Sequence, residues 1–243
     1  MKAKKPKNKK VVSKKPKQKA TVKKIKKAKP AKKVLVKTKK HTPAKKENTE
    51  KFTQESLFKA RIKVVGIGGG GGSIVSEIGK SLEKATFVVA DTDIRSIKKK
   101  SGIKYFLFGQ EYTHGLGTGV DVDLAKQTAL SAREKIGAFF KDQDIIIFIA
   151  SLGGGLGSGA TQIFAEAARE FGGITLGIFT MPFKFEGKNK HRIAQNALKS
   201  LRQSLNVSLV IPNEKIFKVI NANTAITDAF SMVNRSLIGS LES

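Results

Sequence analysis

The stretch SLGGGLGSG at residues 151–159 decides the fold of this chain. It follows an almost wholly apolar run, DIIIFIA at 144–150, and precedes a helix-like run, ATQIFAEAAREF at 160–171. The pattern predicts a strand, a glycine loop and a helix. Glycines let a backbone approach a ligand closely, and helix N-termini attract anions, so a phosphate chain is favoured over a merely flexible turn. No Lys-Ser or Lys-Thr follows Gly159, which excludes an ordinary P-loop.

Charge divides the chain into two unlike parts. The first 50 residues hold 22 lysines and two glutamates, whereas all 23 glycines lie at or after Gly66. A lysine-rich segment with few apolar residues cannot bury enough surface to fold, so we expect a disordered basic tail at 1–57. The tail either binds a polyanion, such as nucleic acid or an anionic membrane, or is only a solubilising extension.

Cysteine and long apolar runs are both absent from the sequence. The first absence excludes disulfides and thiolate metal sites. The second predicts no transmembrane helix, and no secretory signal is recognised. Together they favour a cytoplasmic protein.

Strands and helices alternate after the tail. The predicted strands are 62–67, 85–90, 105–108, 144–150, 174–180 and 207–211. The predicted helices are 74–83, with Ser73 as N-cap, 94–100, 121–140, 160–171, 188–204 and 224–241. This alternation predicts the α/β class, a Rossmann-like parallel sheet flanked by helices.

Six distinctive loops each follow a predicted strand. They are 68–72, 91–93, 115–119, 153–159, 182–187 and 212–213. Ligands of parallel sheets bind at the carboxyl ends of the strands, so these loops are expected to converge on one nucleotide site.

The first glycine loop is ambiguous when taken alone. Gly66–Gly71 matches the G-x-G-x-x-G fingerprint, and Asp91 follows the next strand where a ribose-binding acid is expected. That pair of features indicates an NAD-dependent oxidoreductase. The second glycine loop at 153–159 instead favours one polyphosphate held between two loops.

A set of motifs carries a family resemblance. The chain contains GGGGGS at 68–73, GLGTG at 115–119, GGGLGSG at 153–159, PFKFEGK at 182–188 and IPNEK at 211–215. In order and spacing they resemble FtsZ, the bacterial relative of tubulin. The resemblance implies a filament-forming GTPase of cell division, with a nucleotide-binding domain at 58–223. Residues 224–243 would begin the central helix, and the sequence stops before the family's second domain.

The resemblance also implies which residues hold the phosphates of GTP or GDP. These residues are Gly69, Gly70, Gly71, Gly117, Thr118, Gly119, Gly155, Leu156, Gly157, Ser158 and Gly159. Asp91 and Thr92 stand where the family has Asn-Thr near the nucleotide. Mg²⁺ is expected to accompany the nucleotide, with no metal ligand assigned to the protein.

Five further residues are implied to hold the sugar and the base. Glu186 would accept hydrogen bonds from the ribose, and Lys190 stands near the ribose and phosphates. Asn213 and Asn234 would bond the guanine edge. Phe230 would either stack on the base or belong to the core, since it also continues an apolar helical stripe.

Departures from the family pattern bear on activity. Leu156 stands where the family has Thr, and Asp91 stands where it has a neutral amide. The acidic N-x-D-x-x-D loop, which the family donates to a neighbouring subunit's nucleotide, does not occur in the sequence. Hydrolysis is therefore expected only with acids from a partner.

Two functions remain open from the sequence. The first is a division-site GTP-binding protein that associates head to tail with itself or with another FtsZ-type subunit. The alternative is a non-hydrolysing GTP/GDP-binding module that its basic tail tethers to nucleic acid or membrane.

Overall fold

A computed structural model describes residues 60–79, 85–96, 99–218, 220, 224–225, 228–229, 231–232 and 234–235. The predicted tail at 1–57 and most of the predicted helix at 224–241 lie outside these residues. Among the residues described, no helix has the length and hydropathy that crossing a bilayer requires.

A six-stranded parallel sheet forms the centre of the domain. Its strands are β1 (Ile62–Ile67), β2 (Ala85–Asp91), β3 (Ile103–Leu107), β4 (Ile145–Ser151), β5 (Ile174–Met181) and β6 (Val207–Pro212). Every pairing is parallel, in the order β3-β2-β1-β4-β5-β6. The central strands are nearly continuous apolar runs because helices cover both faces of the sheet. The predicted fold class is confirmed.

Helices form a layer on each face of the sheet. They are α1 (Gly68–Ile78), α2 (Gln110–Thr113), α3 (Val122–Ser131), α4 (Arg133–Gly137), α5 (Gly155–Arg169) and α6 (Lys188–Ser204). Side chains of α3 to α6 share one buried cluster with residues such as Phe148 and Phe179. Side chains of α1 pack on the other face, together with Ile216 of the 3-10 helix Asn213–Lys218.

The predicted starts of both glycine-led helices are wrong. Helix α1 begins at Gly68 with Ile67 at the N-cap, rather than at Ile74 after a Ser73 cap. Helix α5 begins at Gly155, five residues before the predicted start. Glycine has low helix propensity, but its lack of a side chain lets these helices begin directly against the strands, and this packing outweighs propensity.

Two other helix predictions also differ from the structure. The helix predicted at 121–140 is divided at Ala132, whose φ of −98° and ψ of 7° lie outside the helical region, into α3 and α4. Within the described residues, the helix predicted at 94–100 is reduced to the 3-10 turn Ile94–Ser96. There the Asp93 carboxylate accepts from the Arg95 amide at 2.9 Å, and this local bond favours a turn.

Candidate nucleotide-binding site

A cleft of about 490 Å³ opens at the carboxyl ends of the strands. The predicted site residues that line it are Gly69, Gly70, Asp91, Thr92, Gly117, Thr118, Gly119, Gly155, Leu156, Gly157, Glu186, Lys190 and Asn213. They come from segments far apart in sequence. The parallel topology brings these segments to one edge, because each follows a strand that ends there.

The N-termini of α1 and α5 meet across this cleft. The first amides of a helix have no acceptor within the helix, and the dipole makes this end positive. Neither helix has a side-chain cap or an acid in its first turn. The Gly155 amide donates to the Gly119 carbonyl at 2.8 Å, which fixes the 117–119 loop beside α5. The arrangement suits an anion that touches both helix starts.

Some glycines of the two loops face the cleft. A Cβ added at Gly69 or Gly119 would meet no atom within 4 Å, and one at Gly154 would touch only the Gly119 carbonyl oxygen at 4.0 Å. These positions leave room for a ligand to approach the backbone.

Other glycines pack against protein instead. A Cβ at Gly71 would collide with the Ile149 carbonyl, one at Gly157 with the Ser151 carbonyl, and one at Gly159 with the Val122 carbonyl. Gly71 and Gly159 are not among the residues that line the cleft. Glycine is needed at these positions because the helix backbone lies too close to the neighbouring backbone for a side chain to fit.

Ser158 lies just behind the second loop. It is buried, and its hydroxyl oxygen accepts a hydrogen bond from the Gly153 amide at 2.8 Å. Its side chain holds the turn between β4 and α5, and Ser158 does not line the cleft.

The Asp91 carboxylate organises the turn after β2. One oxygen accepts from the amides of Thr92 and Asp93, at 2.7 and 3.1 Å, and the other accepts from the Ser96 hydroxyl at 2.6 Å. Asp91 is only 4% exposed. The negative charge that the sequence predicts near the nucleotide is thus engaged by three donors of its own loop.

Asp93 and Arg95 form a two-bond ion pair at the mouth of the cleft. The guanidinium donates to both carboxylate oxygens, at 3.0 and 2.9 Å. Hydrogen bonding from Arg95 lowers the pKa of the Asp93 carboxyl. Asp93 therefore stays ionised at neutral pH.

Two threonine hydroxyls at the cleft have no hydrogen-bond partner among the residues that the structure describes. Thr92 and Thr118 are buried, at 0% and 6% exposure, and within the described part of the chain their Oγ1 atoms make no hydrogen bond. A buried hydroxyl without a partner costs about 1–3 kcal/mol, so such groups in native proteins usually await water or a ligand. Both threonines line the cleft.

The far end of the cleft is lined by Glu186, Lys190 and Asn213. The Glu186 carboxylate accepts from the Phe183 amide at 2.8 Å and from the Lys190 ammonium at 2.9 Å. These bonds hold Glu186 in place and leave acceptor capacity on its oxygens. Asn213 is 8% exposed and begins the 3-10 helix after β6.

The last two predicted residues are not placed in the cleft. Phe230 lies outside the described residues, so its stacking role stays a prediction. Asn234 is helical and 6% exposed, but it is not among the lining residues.

Leu156 joins the hydrophobic cluster of the α3–α6 face while it also borders the cleft. A Cβ added at Gly68 would lie 3.5 Å from the Leu156 Cβ. The side chain therefore fills space between the two helix starts, where a threonine would present a hydroxyl.

Several lining residues were absent from the predicted set. They are Ile67, Gly68, Asp93, Ser96, Leu116, Ser151, Leu152, Gly154, Thr180 and Pro182. Gly68, Asp93, Leu116, Gly154 and Pro182 lie in the loops that the sequence predicted to converge on the site, although no role was assigned to them. Ile67, Ser151 and Leu152 end or directly follow a strand, so the rule that ligands bind at strand ends could have found them. Ser151 is the last residue of β4 and Thr180 is the penultimate residue of β5, and the Thr180 hydroxyl donates to the Ser151 hydroxyl at 2.9 Å.

Comparison with known proteins agrees with this geometry. Residues 61–221 match the model of the Tubulin/FtsZ family, GTPase domain. The chain is 36% identical over 184 residues to the cell division protein FtsZ of Coxiella burnetii, covering 75% of this chain and 48% of that protein. It is 34% identical over 183 residues to FtsZ of Pseudomonas aeruginosa, covering 75% and 46%. It thus spans about half the length of these curated relatives.

Solved structures give the same result. An FtsZ dimer from M. jannaschii is similar with a TM-score of 0.70 at 33% sequence identity. The match covers 77% of this chain and 55% of the M. jannaschii chain. CetZ2 from Haloferax volcanii, described as a GTPγS-bound protofilament, has a TM-score of 0.68 at 19% identity. It covers 74% of this chain, which spans 57% of the CetZ2 chain, and at that identity the likeness concerns the fold alone.

Proposed function

This chain belongs to the tubulin/FtsZ family, and we propose that it binds GTP and GDP in the cleft between α1 and α5. The observation that carries this proposal is the pair of buried hydroxyls of Thr92 and Thr118, which have no partner among the described residues, beside two helix N-termini that lack a side-chain cap. A polyphosphate supplies acceptors for both hydroxyls and negative charge for both dipoles.

We assign the phosphates to the glycine-lined part of the cleft. Gly69 and Gly154 leave open space above their backbones, and Gly117 to Gly119 approach from the opposite loop. Thr118 Oγ1 lies beside Gly155, since a Cβ added there would be 2.7 Å from it. A phosphate oxygen near α5 could therefore accept from Thr118 as well as from helix amides.

We assign the ribose and guanine to the other end. Glu186 is held by Phe183 and Lys190 and can accept from ribose hydroxyls. Asn213 offers an amide that can both donate to and accept from the guanine edge. Asn234 and Phe230 are proposed to join the base site when nucleotide is bound.

Mg²⁺ is proposed to be held mainly by the nucleotide. Within the described residues no group of three or more His, Asp or Glu side chains could hold a metal. The Asp91 oxygens are engaged by the turn, and those of Asp93 by Arg95. Mg²⁺ commonly keeps waters and binds substrate phosphates, so the donor set fits a nucleotide-bound ion.

Hydrolysis is proposed to require acids from another subunit, in a head-to-tail assembly at the division site. The alternative is a GTP/GDP-binding module that does not hydrolyse and that the lysine-rich residues 1–50 tether to a polyanion. Single-turnover hydrolysis on adding an intact FtsZ-type subunit supports the first. GTP that stays unhydrolysed in the mixed assembly supports the second.

Nucleotide selectivity is tested by competition against labelled GTP. GDP is expected to displace it, whereas ATP and NAD are expected to compete at least tenfold more weakly. Equal displacement by ATP or NAD would contradict the base-site assignment.

The phosphate assignment is tested by Thr118→Val. Valine keeps the shape and removes an unpartnered hydroxyl, so the free protein should be no less stable. A lost hydrogen bond to a charged phosphate should cost about 1.5–3 kcal/mol of binding, which is roughly 10- to 150-fold in Kd. Unchanged affinity, measured by calorimetry with GTP, would refute the role of Thr118.

A further inference from the structure

The outward side of α6 carries only positive and neutral polar side chains. The helix KNKHRIAQNALKSLRQS contains no acidic residue. Its exposed positions recur every three or four residues and so share one side of the helix. They are Lys188, Asn189, Arg192, Gln195, Asn196, Lys199, Arg202 and Gln203, which we call the basic face. Ala194, Ala197 and Leu201 are buried on the opposite side and fix this orientation.

The charge of the basic face is not cancelled locally. Within the described part of the chain, its four cations form no ion pair with a carboxylate, and Arg192 donates only to the Asn189 amide oxygen at 3.0 Å. Exposed Arg169 donates to the Gln203 carbonyl at 3.2 Å and extends the positive charge onto the end of α5.

The acids at the end of α5 and at its C-cap are already paired. Glu166 and Glu170 face Arg133, at 3.8 and 2.7 Å from its guanidinium nitrogens. They therefore contribute little neutralisation to the basic face, which remains a strip of unpaired positive charge.

We propose that the basic face binds the phosphate backbone of a nucleic-acid duplex without reading its sequence. From Lys188 to Arg202 the strip is about 21 Å long at 1.5 Å per residue. That length corresponds to about six phosphates of one strand. The interspersed Asn and Gln amides can donate to phosphate and sugar oxygens, as the Lys and Arg side chains do.

The composition of the face favours a duplex over other polyanions. It has no aromatic side chain on which single-stranded bases could stack. No large apolar residue of α6 is exposed, so nothing on the face would enter the acyl region of a membrane. Contact through charge and amides alone is the pattern of sequence-independent duplex binding.

The basic face is separate from the nucleotide site. Lys190 is the one α6 residue among those lining the cleft, and its ammonium pairs with Glu186. The exposed cations lie on other positions of the helix. Loss of duplex binding therefore need not affect GTP binding. Both charge-reversal variants described next should still bind GTP.

Charge reversal in the full chain tests the proposal. One variant carries Arg192→Glu, Lys199→Glu and Arg202→Glu. The control carries Lys99→Glu, Lys141→Glu and Lys218→Glu, three exposed lysines outside α6 with the same change in net charge. Binding of a mixed-sequence DNA duplex is followed by fluorescence anisotropy over a salt series.

The basic-face variant should bind at least tenfold more weakly at physiological salt. Its slope of log K against log salt should fall by about 2.7, or 0.9 for each lost phosphate contact. The control should change less than threefold. Equal losses in the two variants, or no loss in either, would overturn the proposal.

A local measurement separates this face from the 22 lysines of residues 1–50. Lysine acetylation is mapped with and without duplex, and Lys199 should be protected while Lys99 and Lys141 stay reactive. Protection by duplex RNA as well as DNA supports shared backbone chemistry. Protection by anionic phosphatidylserine vesicles and not by a duplex, or no protection of Lys199, rejects the assignment.

Discussion

Replacing Gly69 by alanine should separate the stability of this domain from its ability to bind nucleotide. Gly69 is the second residue of α1, and a Cβ added there meets no atom within 4 Å. Its φ is not in the left-handed region, so alanine fits without strain. Because alanine is the better helix former, the unfolding free energy should stay the same or rise by up to about 1 kcal/mol.

The new methyl group, however, projects into the cleft where we assign the phosphates. If it prevents one charge-assisted bond from a backbone amide, binding loses about 1.5–3 kcal/mol. That corresponds to a roughly 10- to 150-fold higher Kd for GDP. Stability would be measured by urea denaturation of the nucleotide-free protein, and affinity by calorimetry.

Gly137→Ala is the matched control. This glycine lies in α4, away from the residues that line the cleft, and its added Cβ would make ordinary contacts of 3.5 and 3.7 Å with the Phe171 ring. It should gain similar stability and keep wild-type affinity. If Gly69→Ala binds GDP as tightly as Gly137→Ala does, phosphate does not approach the start of α1, and the assignment is refuted.

Two further predictions follow from contacts near the cleft. Gly157→Val should destabilise the fold more than Ser158→Ala. The Cβ at position 157 would collide with the Ser151 carbonyl, whereas Ser158→Ala loses one hydrogen bond worth about 0.5–1.5 kcal/mol. Equal urea midpoints for the two variants would contradict this prediction. The pKa of Asp93 is lower in the folded protein than its unfolded value near 3.8. The ionised carboxylate therefore stabilises the fold above pH 3.8, and this stabilisation is lost as the pH falls through the lower pKa of the folded state. The stability difference between wild type and Asp93→Asn should therefore shrink from about pH 5 towards pH 2, and a difference independent of pH would disprove it.

The sequence by itself determined the sheet. Apolar runs such as 144–150 and 174–180 alternate with helical segments, and only a parallel sheet covered on both faces buries such strands. The convergence of the loops also followed from sequence, because parallel strands end at one edge. For that reason residues as distant as Asp91 and Asn213 could be predicted to share a cleft.

Tertiary structure decided what each glycine does. Gly69 and Gly71 are indistinguishable within the run at 68–72, yet one opens to the cleft and the other packs against Ile149. Propensity also predicted late helix starts at both loops, whereas contact with the strands allows α1 and α5 to begin within the glycines. Which atoms surround a missing side chain depends on neighbouring elements, and local sequence does not specify them.

The polar contacts of the site likewise depended on the fold. The sequence placed Asp91 near the nucleotide, but it did not show that three donors from its own turn engage the carboxylate. The unpartnered hydroxyls of Thr92 and Thr118 could not be recognised without knowing that both are buried. Hydrogen-bond satisfaction depends on distances of a few ångströms between segments far apart in sequence, and only the packed structure sets those distances.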